Sequence, residues 1–336
     1  MRKIVHHLLL VGFAVCASAE VYEVEYRDGH RISGDRLSGD SFLVHGRSSV
    51  RLDEQPIVPD GREVQRFRQR SLEVQLAGPY IECLNGDLLP GTVVALEPSD
   101  PSRNRPRCVE VEMIGLRNYT SLRGATIRVR ADRIVRIVSG PESESLGHPG
   151  SIRLKTGETV QGRAFRWRSS GLRVLTPDGI QSVSFDNIAE LHQPVSGRTR
   201  RMLAARREVH FSSDDRWATI LTGNGARLTA RESKLVRYSW NLTMVQPAWA
   251  LDAIMIGPEE VAEILYGKAD EIPLTALPAE QIGSGSLVGP VWTWTPNRNL
   301  RNGLLDLGRR SSRTGVGMHA YTAVAFDLPA EAESFD

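Results

Sequence analysis

The histidines of this chain do not have the spacing of a catalytic or metal-binding helix. Two ligands on one helix face need a separation of three or four residues. No such pair occurs among the histidines that follow residue 19, which are His30, His45, His148, His192, His210 and His319. The sequence also lacks a G-x-S-x-G elbow, a phosphate-binding loop, an H-E-x-x-H and a C-x-x-C motif. We therefore expect no enzyme activity, no cofactor and no metal site in this chain.

Two acidic pairs are the remaining candidates for acid–base chemistry. Asp214-Asp215 and Glu259-Glu260 could each supply one half of a glycosidase pair, but the partner carboxylate is defined only by distance in the fold. The alternative is that both pairs are surface residues, and this is the interpretation we favour.

The N-terminus has the pattern of a secretory signal peptide. Arg2 and Lys3 precede an apolar run from about Leu8 to Ala17, and a small-residue cleavage site follows at Ala17-Ser18-Ala19. No later apolar stretch is long enough to span a bilayer. We expect residues 1–19 to be removed and the mature protein to be exported, without a transmembrane segment, to the periplasm, the cell surface or the medium.

Composition does not support nucleic acid as a partner of the mature chain. Residues 1–19 contain two basic residues and no acid, so 40 of the 42 Lys and Arg remain against 40 Asp and Glu. Because this balance is neutral, it does not favour nucleic acid as a partner. An oxidising compartment permits a disulfide between Cys83 and Cys108, and the alternative is two independent buried thiols.

A turn motif recurs along the first 230 residues. Each copy begins with a turn pair containing Gly29, Gly86, Gly157 or Gly225 and places a small residue five positions later, at Gly34, Gly91, Gly162 and Ala230. The residues between them alternate apolar and polar, which predicts the start of a β-hairpin. A closing pattern also recurs, at Ala131–Ile137, at Phe185–Leu191 and more weakly at Leu251–Ile254.

These repeats predict an all-β fold of small barrel-like units packed in series. Four or five short strands with one apolar face must curl up or be covered by a neighbour. We expect two units in residues 20–140, a linker near residue 145 and two more units in 150–275. The basic stretch 197–210 is interpreted as a solvated loop or connecting helix rather than a site for an anionic polymer. Pro258 to Tyr266 is predicted to be a helix that caps the last unit.

The C-terminal segment resembles a known binding-module family. Residues 285–290, Trp292, Trp294, Asn297–Asn299 and the stretch 315–328, which contains G-V-G-M-H-A, are similar to NPCBM carbohydrate-binding domains. The resemblance implies that residues 276–336 form the first part of a galactose-binding-like jelly-roll sandwich, cut short at residue 336. The combination with β units resembles exported proteins of planctomycete-type bacteria.

The resemblance implies a glycan or polysaccharide partner and an envelope or surface location. A sugar site needs an aromatic face for the C–H side of the ring and a few polar groups for its hydroxyls. Trp292, Trp294 and His319 are the candidate carbohydrate-binding residues, and packing of the sandwich is the alternative role. Two other functions stay open: an envelope protein that binds other proteins, and an accessory region of a glycoside hydrolase whose catalytic domain lies beyond residue 336.

Overall fold

The computed structural model describes residues 22–39, 50–58, 62–76, 78–99, 106–118, 126–140, 149–194, 216–239, 242–268, 279–284 and five short stretches between 295 and 326. Apart from single turns of 3-10 helix, its regular structure is antiparallel β-sheet, which confirms the all-β class.

Within the described residues, four β units with six strands each follow one another along the chain, and a C-terminal segment follows them. Unit 1 contains β1 (Tyr22–Tyr26), β2 (Arg31–Gly34), β3 (Leu37–Ser38), β4 (Arg51–Leu52), β5 (Gln55–Pro56) and β6 (Val64–Gln69). Unit 2 contains β7 (Tyr80–Cys83), β8 (Leu88–Glu97), β9 (Cys108–Met113), β10 (Arg117–Asn118), β11 (Thr126–Arg130) and β12 (Ile134–Val138). Unit 3 contains β13 (Ser151–Leu154), β14 (Thr159–Gln161), β15 (Ala164–Arg168), β16 (Gly171–Thr176), β17 (Gly179–Ser184) and β18 (Ile188–His192).

Unit 4 contains β19 (Trp217–Thr222), β20 (Arg227–Arg231), β21 (Leu235–Ser239), β22 (Leu242–Val245), β23 (Ile254–Ile256) and β24 (Val261–Gly267). The C-terminal segment contains β25 (Ala279–Ser284), β26 (Thr295–Pro296), β27 (Leu305–Asp306), β28 (Ser311–Ser312), β29 (Val316–Gly317) and β30 (Thr322–Phe326). Its strands pair as β25 with β30, β26 with β29 and β27 with β28.

All four units share one register between their first and last strands. The central pairs are Val24↔Phe67, Ile81↔Ile137, Ile152↔Leu191 and Ile220↔Ile264. These eight side chains are at most 4% exposed and belong to one apolar core. The turn glycine lies five residues after the first-strand member of each pair, at φ values of 80°, 75°, 91° and 85°. The predicted equivalence of Gly29, Gly86, Gly157 and Gly225 is therefore confirmed.

The small residue of the turn motif lies where another strand crosses closely. A Cβ atom on Gly91 would lie 2.6 Å from the backbone oxygen of Glu112 on the neighbouring strand β9. The equivalent residue in unit 4, Ala230, is accommodated with 4% exposure. The hairpin can therefore curl into the unit only with a minimal side chain at this position.

One turn of 3-10 helix precedes the closing strands of units 2, 3 and 4, at Ala131–Arg133, Phe185–Asn187 and Pro258–Glu260. The predicted helix over Pro258 to Tyr266 is wrong, because only this first turn is helical and β24 follows directly. Residues Val261–Ile264 are buried on both faces between β19 and β6. Because polar and apolar residues do not alternate in such a buried segment, its sequence pattern does not distinguish a strand from a helix. The predicted closing pattern at Leu251–Ile254 is also wrong, since the 3-10 turn lies at Pro258–Glu260.

The spatial order of the units differs from their order along the chain. In the largest sheet the closing strand β12 of unit 2 pairs with β18 of unit 3, and β24 of unit 4 pairs with β6 of unit 1. Units 2 and 4 meet where β8 pairs with β20 at Leu88↔Arg227. The order across the sheet is therefore 3, 2, 4, 1, so the units are consecutive in sequence but are not packed in series.

Candidate functional site at the junctions between units

Two junctions join the units through their closing strands in the same antiparallel register. At the junction of units 2 and 3, Ile137 lies opposite Leu191, and at the junction of units 4 and 1, Ile264 lies opposite Phe67. Each is thus a pseudo-twofold contact between equivalent strands. The residue just before each central position is charged, and it is arginine on one strand and glutamate on the other.

Glu190 is the centre of the junction between units 2 and 3. It is 2% exposed, and its Oε1 accepts from Nε of Arg136 at 2.7 Å, with the Arg136 Nη2 2.5 Å away. His192 Nε2 lies 2.7 Å from the same oxygen, while Arg153 Nη2 donates to Oε2 at 3.2 Å. Three cationic or hydrogen-bonding side chains from both units therefore surround one buried carboxylate.

The charged form of Glu190 is strongly stabilised despite its burial. Burial alone would raise its pKa, but the hydrogen bond with His192 and the charge of Arg136 outweigh that effect and lower the pKa to about 2. A carboxylate held ionised in this way is a poor general acid or base at neutral pH. The geometry therefore favours a structural role over catalysis.

Glu263 holds the same position at the junction of units 4 and 1. Its side chain is 2% exposed, and Arg66 donates from Nε to Oε1 at 2.6 Å, while Arg68 Nη2 lies 3.5 Å from Oε2. The side chains of Arg66 and Arg68 keep 31% and 22% of their surface exposed. This junction uses the same charge pattern in a setting that is more open to water.

A small cleft opens beside the junction of units 4 and 1. It has a volume of about 210 Å³ and includes Arg27, Glu63, Arg216, Glu232 and Lys268 in its lining. Glu63 lies 3.4 Å from Arg27, 2.7 Å from Arg216 and 3.0 Å from Lys268, and the Lys268 hydrogen bond contributes most to lowering the pKa of this carboxyl group. Burial raises the pKa of Glu232. The cleft is smaller than typical ligand pockets, and the Glu63 carboxylate already has three cationic partners.

Asp87 fixes the contact between units 2 and 4 from inside the core. It is fully buried and accepts from the Thr229 N–H at 2.8 Å, the Thr229 hydroxyl at 2.7 Å and Trp249 Nε1 at 2.6 Å. All three donors belong to unit 4. Such a buried carboxylate is stable because its lone pairs are satisfied by directed hydrogen bonds.

Units 2 and 4 also cover each other's strand edges. Residues Trp249–Leu251 of unit 4 lie along the free edge of β11, where the Arg130 N–H donates to the Trp249 carbonyl at 2.9 Å and the Leu251 N–H to the Arg128 carbonyl at 3.0 Å. In the reverse direction, β10 of unit 2 pairs with the edge of β23 in unit 4. The covered strands β11 and β23 each lie just before the closing 3-10 turn of their unit.

An acidic residue fixes the segment that covers β11. Asp252 accepts from the Arg128 N–H at 2.9 Å, from its Nε at 3.0 Å and from its Nη2 at 2.6 Å. Burial alone would raise the pKa of Asp252, but the hydrogen bonds from Arg128 outweigh it and lower the pKa. An extended segment followed by a carboxylate is therefore how this fold covers an arginine-bearing strand edge.

The candidate carbohydrate-binding residues Trp292, Trp294 and His319 lie outside the described residues, as do the basic stretch 197–210 and Asp214-Asp215. In the other acidic pair, Glu259 is exposed, as expected of a surface residue, while Glu260 is structural, because its Oε2 accepts from the Gly257 N–H at 2.6 Å and caps the 3-10 turn. Within the described ranges no group of three or more His, Cys, Asp or Glu side chains has the geometry of a metal site.

Cys83 and Cys108 are both buried and neither forms a disulfide, so the structure has the alternative of two thiols rather than the disulfide. The two residues lie at opposite ends of β8, since the Cys83 N–H bonds the Asp87 carbonyl just before that strand and Cys108 pairs with Glu97 at its end. A disulfide needs Cα atoms within about 7 Å. Burial raises the pKa of the Cys108 thiol, which makes it less reactive.

The junction residues are not among the candidates predicted from the sequence, although a signal for them exists. The strands Ile188-Ala189-Glu190-Leu191 and Val261-Ala262-Glu263-Ile264 place a glutamate at the same position of an apolar run. A charged residue inside such a run must be paired when it is buried.

No family model, no curated protein and no solved structure matches this chain. Within the part of the chain that the structure describes, no helix is long and apolar enough to cross a membrane.

Proposed function

We propose that the chain is an exported, non-catalytic binding protein that holds a glycan through its C-terminal NPCBM-like segment, with the four β units as its scaffold. The N-terminal signal pattern supports export, and the stretch 315–328 supports the binding module. The junctions around Glu190, Glu263 and Asp87 support a scaffold whose units keep fixed positions.

The observation that carries this proposal is the pairing of β26 with β29. Thr295, the residue after Trp294, lies opposite Gly317, two residues before His319. The flanking strands β25 and β30 also pair, over Ala279–Ser284 and Thr322–Phe326. The backbone next to two of the three candidate residues thus converges although they are 25 positions apart in sequence.

A glycan site at this place would use the three side chains in different ways. An indole ring offers an apolar face to the C–H groups of a sugar ring, while an imidazole offers a hydrogen bond to a hydroxyl group. Both kinds of group are needed, because stacking alone does not select among hydroxyl configurations.

The test is retention of the chain on immobilised polysaccharides, using the triple variant Trp292→Ala, Trp294→Ala, His319→Ala. We expect retention by wild type and at least tenfold weaker retention of the variant. Met318→Ala is the matched control, because Met318 is 43% exposed and adjoins His319. Equal retention of the triple variant and wild type would remove these residues from the site.

A further inference from the structure

We propose that the outer edge of β17 in unit 3 is a docking site for an extended acidic segment of another protein, which adds to the sheet as a strand. The proposal is independent of the glycan-binding function. It commits to a polypeptide that has acidic residues at alternate positions and an apolar residue next to them.

The first observation is the open edge itself. Strand β17 precedes the closing 3-10 turn of unit 3, as β11 and β23 do in units 2 and 4. Those two strands are covered by segments of the neighbouring unit, whereas β17 pairs only with β16 among the described residues. It is six residues long and has no proline, no charged residue and no bulge in its pairing with β16. Edges of this kind accept another strand unless they are protected.

The second observation is the direction of the backbone groups. The Phe185 N–H donates to the Ser170 carbonyl on the β16 side of the strand at 3.2 Å. Because these directions alternate along a strand, the N–H and C=O groups of Ile180, Ser182 and Ser184 point away from β16. Ser182 and Ser184 occupy the positions that Arg128 and Arg130 have in unit 2, where the outward backbone groups of the two arginines bind residues 249–251 of unit 4. The main-chain contacts of an added strand are therefore already available.

The third observation is the charge of the outer face. Arg166 on β15 and Arg173 on β16 lie directly opposite each other, and Arg168 is two positions along β15. All three are exposed, and none has an ion pair with a described residue. Like charges directly opposite destabilise a sheet, so this arrangement has a cost that an anionic partner would remove. The equivalent face of unit 2 is balanced, because Glu110 lies opposite Arg128.

The fourth observation is an exposed apolar pair on the same face. Leu175 is 46% exposed and Ile180, directly opposite on β17, is 61% exposed. Between the arginines and the edge lie only Gly171, Ser182 and Ser184, so the guanidinium groups are not screened by large side chains. Strands are about 4.8 Å apart, and an arginine on β16 can reach a carboxylate on a strand added beside β17.

The partner's chemistry follows from the covered edge in unit 2. There, an extended segment supplies the main-chain hydrogen bonds and Asp252 binds the arginine of the edge. In unit 3 the arginines lie one strand and two strands away from the edge strand β17. The exposed pair Leu175 and Ile180 adds an aliphatic contact. An alternating acidic strand with a flanking apolar side chain satisfies both features, whereas an acidic polysaccharide satisfies only the arginines.

The test is fluorescence anisotropy of a labelled decapeptide of alternating glutamate and valine, titrated with the full chain. We expect saturable binding that weakens with salt, and at least tenfold weaker binding when lysine replaces glutamate. Arg173→Glu should weaken binding at least tenfold. Arg51→Glu is the matched charge control, because Arg51 is also exposed but lies in unit 1, and the affinity of this variant should stay within about twofold of wild type.

A second pair of variants separates the edge from the face. Ser184 has φ −72°, which proline adopts without strain. Ser184→Pro therefore removes the outward N–H group of the backbone and the side-chain hydroxyl. Ser184→Ala removes the same hydroxyl and keeps the N–H. We expect Ser184→Pro to lose at least tenfold in affinity and Ser184→Ala to stay near wild type.

Three results would overturn the proposal. One is equal affinity of wild type, Arg173→Glu and Ser184→Pro for the peptide. Another is slow hydrogen exchange of the Ser184 amide in the free chain together with no peptide binding, which would mean that the edge is already covered. The last is a chain that does not bind the peptide but binds dextran sulfate, with this binding lost in Arg173→Glu and kept in Ser184→Pro. That result would assign the face to an acidic polysaccharide.

Discussion

The two closing-strand junctions have the same register but different surroundings. At the junction of units 2 and 3, Arg136 is 2% exposed and Glu190 has three partners, whereas at the junction of units 4 and 1 the arginines keep up to 31% of their surface. In both, one strand carries arginine and the other carries glutamate at the same position. The shared pattern makes the charges complementary across each junction, while the difference in burial sets how much each pair contributes to stability.

The largest expected effect comes from removing the buried arginine. Arg136→Leu leaves Glu190 buried with fewer cations and should lower the free energy of unfolding by about 3 to 5 kcal/mol. Arg66→Leu at the other junction should cost less, about 2 kcal/mol, because Glu263 is just as buried but keeps Arg68 at 3.5 Å, and the arginine that is removed is 31% exposed. Urea denaturation measures both.

The double variant Arg136→Leu, Glu190→Leu is the control for this comparison. Replacing a buried ion pair by apolar residues is often close to neutral, so the double variant should recover most of the lost stability. Equal losses for Arg136→Leu and Arg66→Leu would show that burial does not distinguish the junctions.

Acid should weaken the junction of units 2 and 3 through Glu190. Its pKa is lowered from 4.5 to about 2 in the folded chain, so its contribution is complete above pH 4.5 and is lost as the pH falls toward 2. The loss is on the order of 3 kcal/mol. Thermal unfolding midpoints across this pH window should fall less for Glu190→Gln than for wild type. Parallel pH profiles for the two proteins would contradict this assignment.

A smaller effect is expected where the turn motif crosses a neighbouring strand. Gly91→Ala places a Cβ 2.6 Å from the backbone oxygen of Glu112 and should cost about 1 to 3 kcal/mol. Ala230→Gly, the reverse change at the equivalent position of unit 4, should cost about 1 kcal/mol through backbone entropy. Chemical denaturation of the two variants compares the units directly, and a neutral Gly91→Ala would mean that β9 can move aside.

The smallest effect is the absence of a redox response. Because Cys83 and Cys108 are buried and not joined by a disulfide, a reductant should leave the thermal unfolding midpoint unchanged. A thiol reagent such as Ellman's should label both residues only after unfolding. A lower unfolding midpoint on reduction, or faster migration on a non-reducing gel, would show that Cys83 and Cys108 form a disulfide.

Local features of the fold were predictable, and long-range ones were not. The glycines at 29, 86, 157 and 225 require positive φ, so their turns are encoded by single residues. The sequence predicts a helix where β24 forms, because the burial of this strand on both faces depends on β19 and on β6, nearly 200 residues earlier. The junction carboxylates share this dependence, because Glu263 is recognisable as a partner of Arg66 only when the order of the units is known.

The order of the units has a consequence for the chain as it leaves the ribosome. Unit 1 is synthesised first, but its closing strand β6 pairs with β24, and the Arg66–Glu263 contact spans 197 residues. Until unit 4 emerges, the outer edge of β6 has no β24 to pair with, and contacts of this separation form slowly. A nascent chain in this state is open to wrong strand pairing, so a holdase that delays folding until translation ends would raise the yield of native protein.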